Sequence, residues 1–583
     1  MKHLKKVIAL VLTLVTAIAM ATPAFAAEGK PADTSISVSG LEAGDKVNFY
    51  QVLKYDETAT DTGGWVANTD FTGLTKDEIQ KIVSKGDYAT GGSKADKAGI
   101  DAALAAKIAG MASGTAKFAD VNATDGTATA ATTNVGDAGL YVALVTPGKP
   151  DYLYNPVFVA ADYTAAGTNS QAAVTALSYE PASLAKKENV TLTKEIDGTT
   201  DTKYDVNVGD TVNFTISSKV PAYSTAYQNP TYVITDTMEA GLEVQGTPAV
   251  TVAGITLADG DYTVSVAEDK KSFTVTMNQA GLDKVAATGQ AQAITVTYGA
   301  KVTSIEDATV SEKENEATVK FSNNPGDSSK YSLLEDKTRT YSFTIDGNLL
   351  GYTGESYETD ELVKVGLNAD GTPATQKKQY HSGTTWTELS PLSGAVFGLY
   401  TDPACTTAYT NDVFTGTVTS DANGRLKIQG LDEGTYYLKE TSAPTGYIMD
   451  NRTFTITIAA TYTEVEAGQY TNSDNIVVKY DAYKVLEGYT VTVTDGTNTA
   501  TSTYNIQNKG AVDHKVVDKA TYQTITGDDF AGDVVTPISN TKGTELPSTG
   551  GMGTKILYTI GGLMVAAGGV FLAAKKRMNT IQE

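Results

Sequence analysis

The chain has 583 residues, with 45 Lys and Arg against 68 Asp and Glu, and a formal net charge of −23. That acidity argues against nucleic acid and anionic membrane surfaces as partners. A single cysteine, Cys405, excludes an internal disulfide, and three histidines give little support to His-based catalysis or His-ligated zinc.

In chain order, the first element lies outside the fold. Residues 1–26 combine Lys2, Lys5 and Lys6 with an apolar stretch and a closing Ala24, Phe25, Ala26. This is the layout of a cleaved secretory signal peptide. The mature chain, about 520 residues, is long enough for two to four domains.

Residues 33–180 read as a first domain. It opens on alternation at 34–38, carries its best helical pattern at 101–111, and closes on strand-like runs at 139–144 and 156–159. A polar linker with Lys186 and Lys187 follows. Residues 190–324 form a second unit of period-two segments, separated by turn signals at Asp197-Gly198 and Asp259-Gly260. The stretch 325–360 has no clear owner, and its run at 341–345 suits a strand of either neighbour. Residues 361–541 make the third unit, in which Cys405 is expected to pack as a small apolar residue. After LPSTG at 546–550 come an uncharged apolar run at 556–574 and then Lys575, Lys576 and Arg577. At 1.5 Å per residue the run spans roughly 28 Å, one bilayer core, with the basic end held on the cytoplasmic side. The predicted fold class is all-β: tandem immunoglobulin-like sandwiches, a helical insertion in the first, and a C-terminal transmembrane helix.

Leu546, Pro547, Ser548, Thr549 and Gly550, followed by the apolar run and basic tail, resemble the LPxTG sorting signal of Gram-positive surface proteins. The resemblance implies cleavage by a sortase between Thr549 and Gly550 and transfer of the Thr carbonyl to an amine. It also implies a transient membrane anchor, and then a cell-wall location attached to peptidoglycan.

Residues 437–447, YLKETSAPTGY, resemble the E-box of Gram-positive pilins, and PLSGAVF at 391–397 and ISNTK at 538–542 match their B-type Cna-like domain. The resemblance implies that Lys364 on the first strand condenses with Asn540 on the last, assisted by Glu440. Such chemistry needs a neutral amine, which burial favours. A carboxylic acid that burial keeps protonated could donate to the Asn carbonyl and stabilise the developing oxyanion. The second unit has no E-box and resembles the A-type domain, in which an Asp replaces the Glu. The implied set is Lys194, Asp236 and either Asn315 or Asn323, with Asn315 the better match. By the loop-entropy argument for disulfides, each tie is worth on the order of 5 kcal/mol.

Together these features resemble the major, or shaft, pilins. That implies a non-enzymatic structural subunit without cofactor or metal, whose partners are pilus-specific and housekeeping sortases, copies of itself, minor pilins and peptidoglycan. The family's YPK-type acceptor motif is missing: the segment 154–163 reads YNPVFVAADY, without Lys. Lys186 and Lys187 are the nearest acceptor candidates. A wall-anchored monomeric adhesin or minor pilin binding a host or microbial ligand is the alternative, and a surface hydrolase has the least support.

Overall fold

A computed structural model describes residues 34–543 apart from 57, 85–98, 113, 125–129, 136–137, 162–176, 178, 197–204, 306–309, 347–361, 375–377, 383–384, 498, 507–521 and 525–535. The expected signal peptide, LPSTG motif and transmembrane segment lie outside the described residues.

The first domain is built on a sheet in which Lys46–Tyr55 pairs with Trp65–Ala67, Phe118–Asn122 and Gly139–Thr146, and the last of these pairs with Val157–Ala161. One face packs on a second sheet of Thr34–Ser39, Ala130–Val135 and Ala182–Leu184, burying Ile36, Val38, Phe49 and Tyr141. The other face packs on helices Lys76–Val83 and Ala102–Met111 through Leu53, Ile82, Leu104, Ile108 and Val142. Burial on both faces is why Gly139–Thr146 is apolar almost throughout instead of alternating. The helix expected at 101–111 is present, with Asp101 as its N-cap. The helix at 76–83 was not expected, although Thr75 and Glu78 form a reciprocal capping box at its start.

The second domain is a two-sheet sandwich. One sheet runs in the order Leu192–Ile196, Thr211–Val220, Gln292–Val302, Leu242–Val252. The other runs Tyr262–Val266, Ser272–Met277, Tyr232–Met238, Val310–Ser322, Tyr331–Asp346. Inward positions alternate strictly: in Thr211–Val220 they are Val212, Phe214, Ile216, Ser218 and Val220. A helix at Gln279–Ala287, also unexpected, covers one end through Leu282 and Val285.

The run at 341–345 belongs to both neighbours. It ends the 16-residue strand Tyr331–Asp346, which pairs with Val310–Ser322. Its last residues, Phe343 to Asp346, also pair with Lys427–Leu431 of the third domain. The third domain is a seven-stranded sheet containing Val396–Tyr400, Gly434–Ser442, Thr453–Val465 and Tyr483–Thr494, packed on Lys427–Leu431 and on the parallel pair Leu362–Leu367 and Thr536–Thr541. From this domain a hairpin, Gly468–Thr471 with Val477–Tyr480, reaches back to extend the second domain's sheet alongside Leu333 to Glu335. Lys479 on it meets Asp151 of the first domain at 2.8 Å.

Cys405 departs from expectation. It is half-buried, in a left-handed turn with φ of 54°, and not in the core.

Candidate functional site: two buried amine–carboxyl–amide clusters

Strand alternation forces charged residues into both sandwich cores. In Leu192–Ile196 the inward residues are Leu192, Lys194 and Ile196. In Tyr232–Met238 they are Tyr232, Ile234, Asp236 and Met238. Neither Lys194 nor Asp236 has any exposed side-chain surface. The third domain repeats the pattern: Tyr436, Leu438 and Glu440 face inward on one strand, and Ile538 and Asn540 on another.

In the third domain the three expected residues meet. The Lys364 ammonium donates to Asn540 Oδ1 and, at 3.3 Å, to Glu440 Oε2. Asn540 Nδ2 donates to Glu440 Oε1 at 2.9 Å, and the Asp450 N–H donates to Oε2 at 2.7 Å. The carboxyl therefore faces the amide nitrogen, the group that would leave, and not the carbonyl oxygen as expected. Lys364 Nζ lies 5.2 Å from the Phe397 ring centre. Burial pulls its amine down to about 8, against the opposing pull of Glu440.

In the second domain Lys194 donates to Asp236 Oδ2, and burial moves the amine down and the carboxyl up. Both changes favour neutral forms. Lys194 belongs to one sheet, whereas Asp236 and Asn315 belong to the other, where Asn315 is opposite Met238. The two sheets are bridged by Tyr298, which the sequence analysis missed. Its hydroxyl accepts from Lys194 Nζ at 2.7 Å and from Asn315 Nδ2 at 2.8 Å, and donates to Asp236 Oδ2 at 2.9 Å. The signal for it was its inward place in the alternating strand Gln292–Val302. Asp336 was also missed. Its carboxylate accepts the backbone N–H of Lys194 and, at 2.8 Å, that of Lys337, which fixes the edge of the first strand. Asn323 lies elsewhere, donating to Ser332 Oγ at 2.9 Å.

Lys186 and Lys187 do not sit in a free linker. Ala182–Leu184 pairs with Ser37 to Ser39, and Lys187–Asn189 pairs with Tyr152–Tyr154. Lys187 is held in an ion pair with Glu42 and lies 5.2 Å from the Tyr152 ring centre. Lys186 is exposed. It borders a groove of about 830 Å³ between the first two domains, lined among others by Asn155, Pro156, Ala222, Tyr223 and Leu282.

Comparison with known proteins agrees with this architecture. A family model for the Gram-positive pilin backbone subunit 2, Cna-B-like domain, matches residues 208–325. A prealbumin-like fold domain matches 385–471, and the LPXTG cell wall anchor motif matches 538–579. The trypsin-resistant surface T6 protein of Streptococcus pyogenes serotype M6 is 25% identical over 477 residues, 77% of this chain and 80% of that protein. The solved T6 backbone pilin, described as a modular three-domain structure, covers 89% of this chain and 100% of its own at 18% identity, with a TM-score of 0.50. The full-length major pilin SpaD of Corynebacterium diphtheriae covers 88% of this chain and 98% of its own at 17% identity, with a TM-score of 0.44.

Proposed function

We propose, from the premise that the chain is a Gram-positive pilus backbone subunit anchored through an LPXTG motif, that it bears load through two self-formed amide cross-links and is joined to its neighbour through Lys186. As a backbone pilin it is structural and not an enzyme, and sortase-mediated polymerisation and wall attachment follow from the backbone and anchor matches.

The observation that carries the cross-links is an amine, a carboxyl and an Asn amide brought together, all buried, in each of two cores. In the third domain the Lys364 ammonium passes a proton to Glu440, and the neutral amine attacks Asn540 Cγ. Glu440 then protonates Nδ2, and ammonia departs as the new amide forms. Of the two protons the amine sheds, one leaves in ammonia and one remains on the carboxyl. Keeping an ion buried costs several kcal/mol, so converting the ammonium to a neutral amide removes a standing penalty. The second domain closes by the same overall condensation, from Lys194 to Asn315.

Lys186 is the better acceptor because its amine is exposed, whereas that of Lys187 is engaged by Glu42. Its carbonyl accepts the N–H of Asn155 at 3.0 Å, so it stands beside the Asn155-Pro156 step where the family motif lacks its lysine. A pilus sortase would cleave after Thr549 and load that acyl group onto Lys186 of the next copy. A housekeeping sortase would pass the last subunit to peptidoglycan, and minor pilins would join by the same chemistry. Tension would then run through the second and third domains, the two with cross-links.

Wall extracts resolved in SDS test this. Wild type is expected to give a sortase-dependent ladder, Lys187→Arg the same ladder, and Lys186→Arg none. A ladder that persists in Lys186→Arg would move the acceptor elsewhere. Wall-bound monomer alone in wild type would favour the adhesin reading.

A further inference from the structure

The two clusters differ in how the carboxyl reaches the amide. Glu440 spans its reactants with both oxygens: Oε2 faces Lys364 Nζ at 3.3 Å and Oε1 faces Asn540 Nδ2 at 2.9 Å. Asp236 is one methylene shorter. Its Oδ2 meets Lys194, but among the described residues its Oδ1 is buried without a hydrogen-bond partner, as is Asn315 Oδ1. The place held by the second carboxyl oxygen in the third domain is held here by the Tyr298 hydroxyl, in reach of Nζ, Oδ2 and Nδ2 together.

We propose that Tyr298 is a catalytic residue of the second-domain cross-link, relaying a proton from the Asp236 carboxyl to the departing Asn315 nitrogen. This rests on the reading that Lys194 and Asn315 condense. The Lys194 ammonium gives one proton to Asp236, and its freed electron pair forms the Nζ–Cγ bond while the carbonyl π pair moves onto Oδ1. Nδ2, planar and a donor to Tyr298 beforehand, now carries a lone pair, so the same contact runs in reverse. Tyr298 gives its proton to Nδ2 and takes one from Asp236. The Oδ1 pair re-forms the carbonyl as the Cγ–Nδ2 bond breaks, and ammonia leaves. The second proton shed by Nζ returns to Asp236, which ends as a neutral acid in an apolar site.

The surroundings suit a relay. The Tyr298 ring is stacked on Phe214 with centroids 5.3 Å apart and set edge-on to Phe273 at 4.7 Å, which fixes where the hydroxyl points. The hydroxyl keeps its proton in the resting state, since burial and the neighbouring Asp236 both hold its pKa well above the usual tyrosine range. It acts as a conduit and ionises only in passing.

The test is the time course of ammonia loss in the full mature chain after refolding from denaturant, read by intact mass and peptide mapping. Wild type is expected to lose about 17 Da for each domain. Tyr298→Phe keeps the ring and is expected to fold, to keep the third-domain loss, and to form the Lys194–Asn315 bond on the order of 100-fold more slowly. Adding Asp236→Glu to Tyr298→Phe supplies the longer carboxyl and should restore the bond, a rescue that a packing role for the hydroxyl does not predict. An unchanged rate in Tyr298→Phe, or a folded double variant without the bond, would overturn the relay. A wild-type chain with no Lys194–Asn315 bond would instead overturn the cross-link reading beneath it.

Discussion

Lys364 and Asn540 stand two residues out of step on neighbouring parallel strands: Lys364 is opposite Ile538, and Asn540 is opposite Gly366. The offset lets the four-carbon stem of the lysine run along the strand to the amide. The missing side chain at Gly366 leaves room there for Tyr447 of the E-box, since a Cβ on Gly366 would lie 3.0 Å from that ring. First strand, last strand and E-box thus meet at one point, 176 residues apart along the chain between lysine and asparagine.

Removing the carboxyl should stop the reaction while leaving the strands paired. Glu440→Gln is expected to abolish the third-domain loss of about 17 Da, as should Lys364→Ala. Asp236→Ala should abolish only the second-domain loss. The two sites lie in separate cores, so their effects should be independent. Peptide mapping of each variant checks this, and a third-domain bond formed in Glu440→Gln would contradict the role given to that carboxyl.

Gly424 supports Lys364 from the side. Its φ is +77°, its carbonyl accepts the Lys364 N–H at 2.7 Å, and a Cβ there would lie 2.3 Å from the Lys364 carbonyl oxygen. Gly424→Ala is expected to cost about 1–3 kcal/mol and to slow third-domain closure. Gly371→Ala is the control, because φ there is +81° but nothing among the described residues lies within 4 Å. Equal thermal midpoints for the two variants would show that the close approach is unimportant.

The free amine makes stability depend on pH in a defined direction. In Asn540→Ala, Lys364 stays unacylated, with burial holding it at about 8. An unfolded lysine binds its proton up to about 10.4. Between those values the unfolded chain holds more protons, so stability should rise as pH rises through that window, by on the order of 3 kcal/mol. Urea midpoints at pH 7 and pH 10, compared with Lys364→Met/Asn540→Ala, read the difference. A gap that does not change with pH would contradict the burial of a free amine.

Much of this was legible in the sequence because strand alternation has only two faces. Once Leu192 and Ile196 point inward, Lys194 must too, and the same holds for Asp236 between Ile234 and Met238. Tyr298 was not legible as a reacting group, since an inward tyrosine in a strand is ordinarily core and its role depends on residues of four strands converging. The segment around Lys186 read as a linker because its residues are polar. Its pairing partners lie more than thirty and more than one hundred residues upstream, and local composition does not report such distant pairing. The strand Tyr331–Asp346 could not be assigned to one domain because it serves two.

The hairpin strap should matter less for stability than its reach suggests. The Lys479–Asp151 pair is half-exposed on the lysine side, and Lys479→Ala is expected to shift stability by less than about 1 kcal/mol. Denaturant midpoints check this, and a larger loss would make the strap an essential brace between the first and third domains.

The intact mass of the purified mature chain tests the central claim most directly. Two internal amide bonds predict a mass about 34 Da below that of the sequence, one ammonia per bond. Fragments should join Lys194 to Asn315 and Lys364 to Asn540. A mass equal to that of the sequence, with all four residues recovered in separate unlinked peptides, would contradict the account.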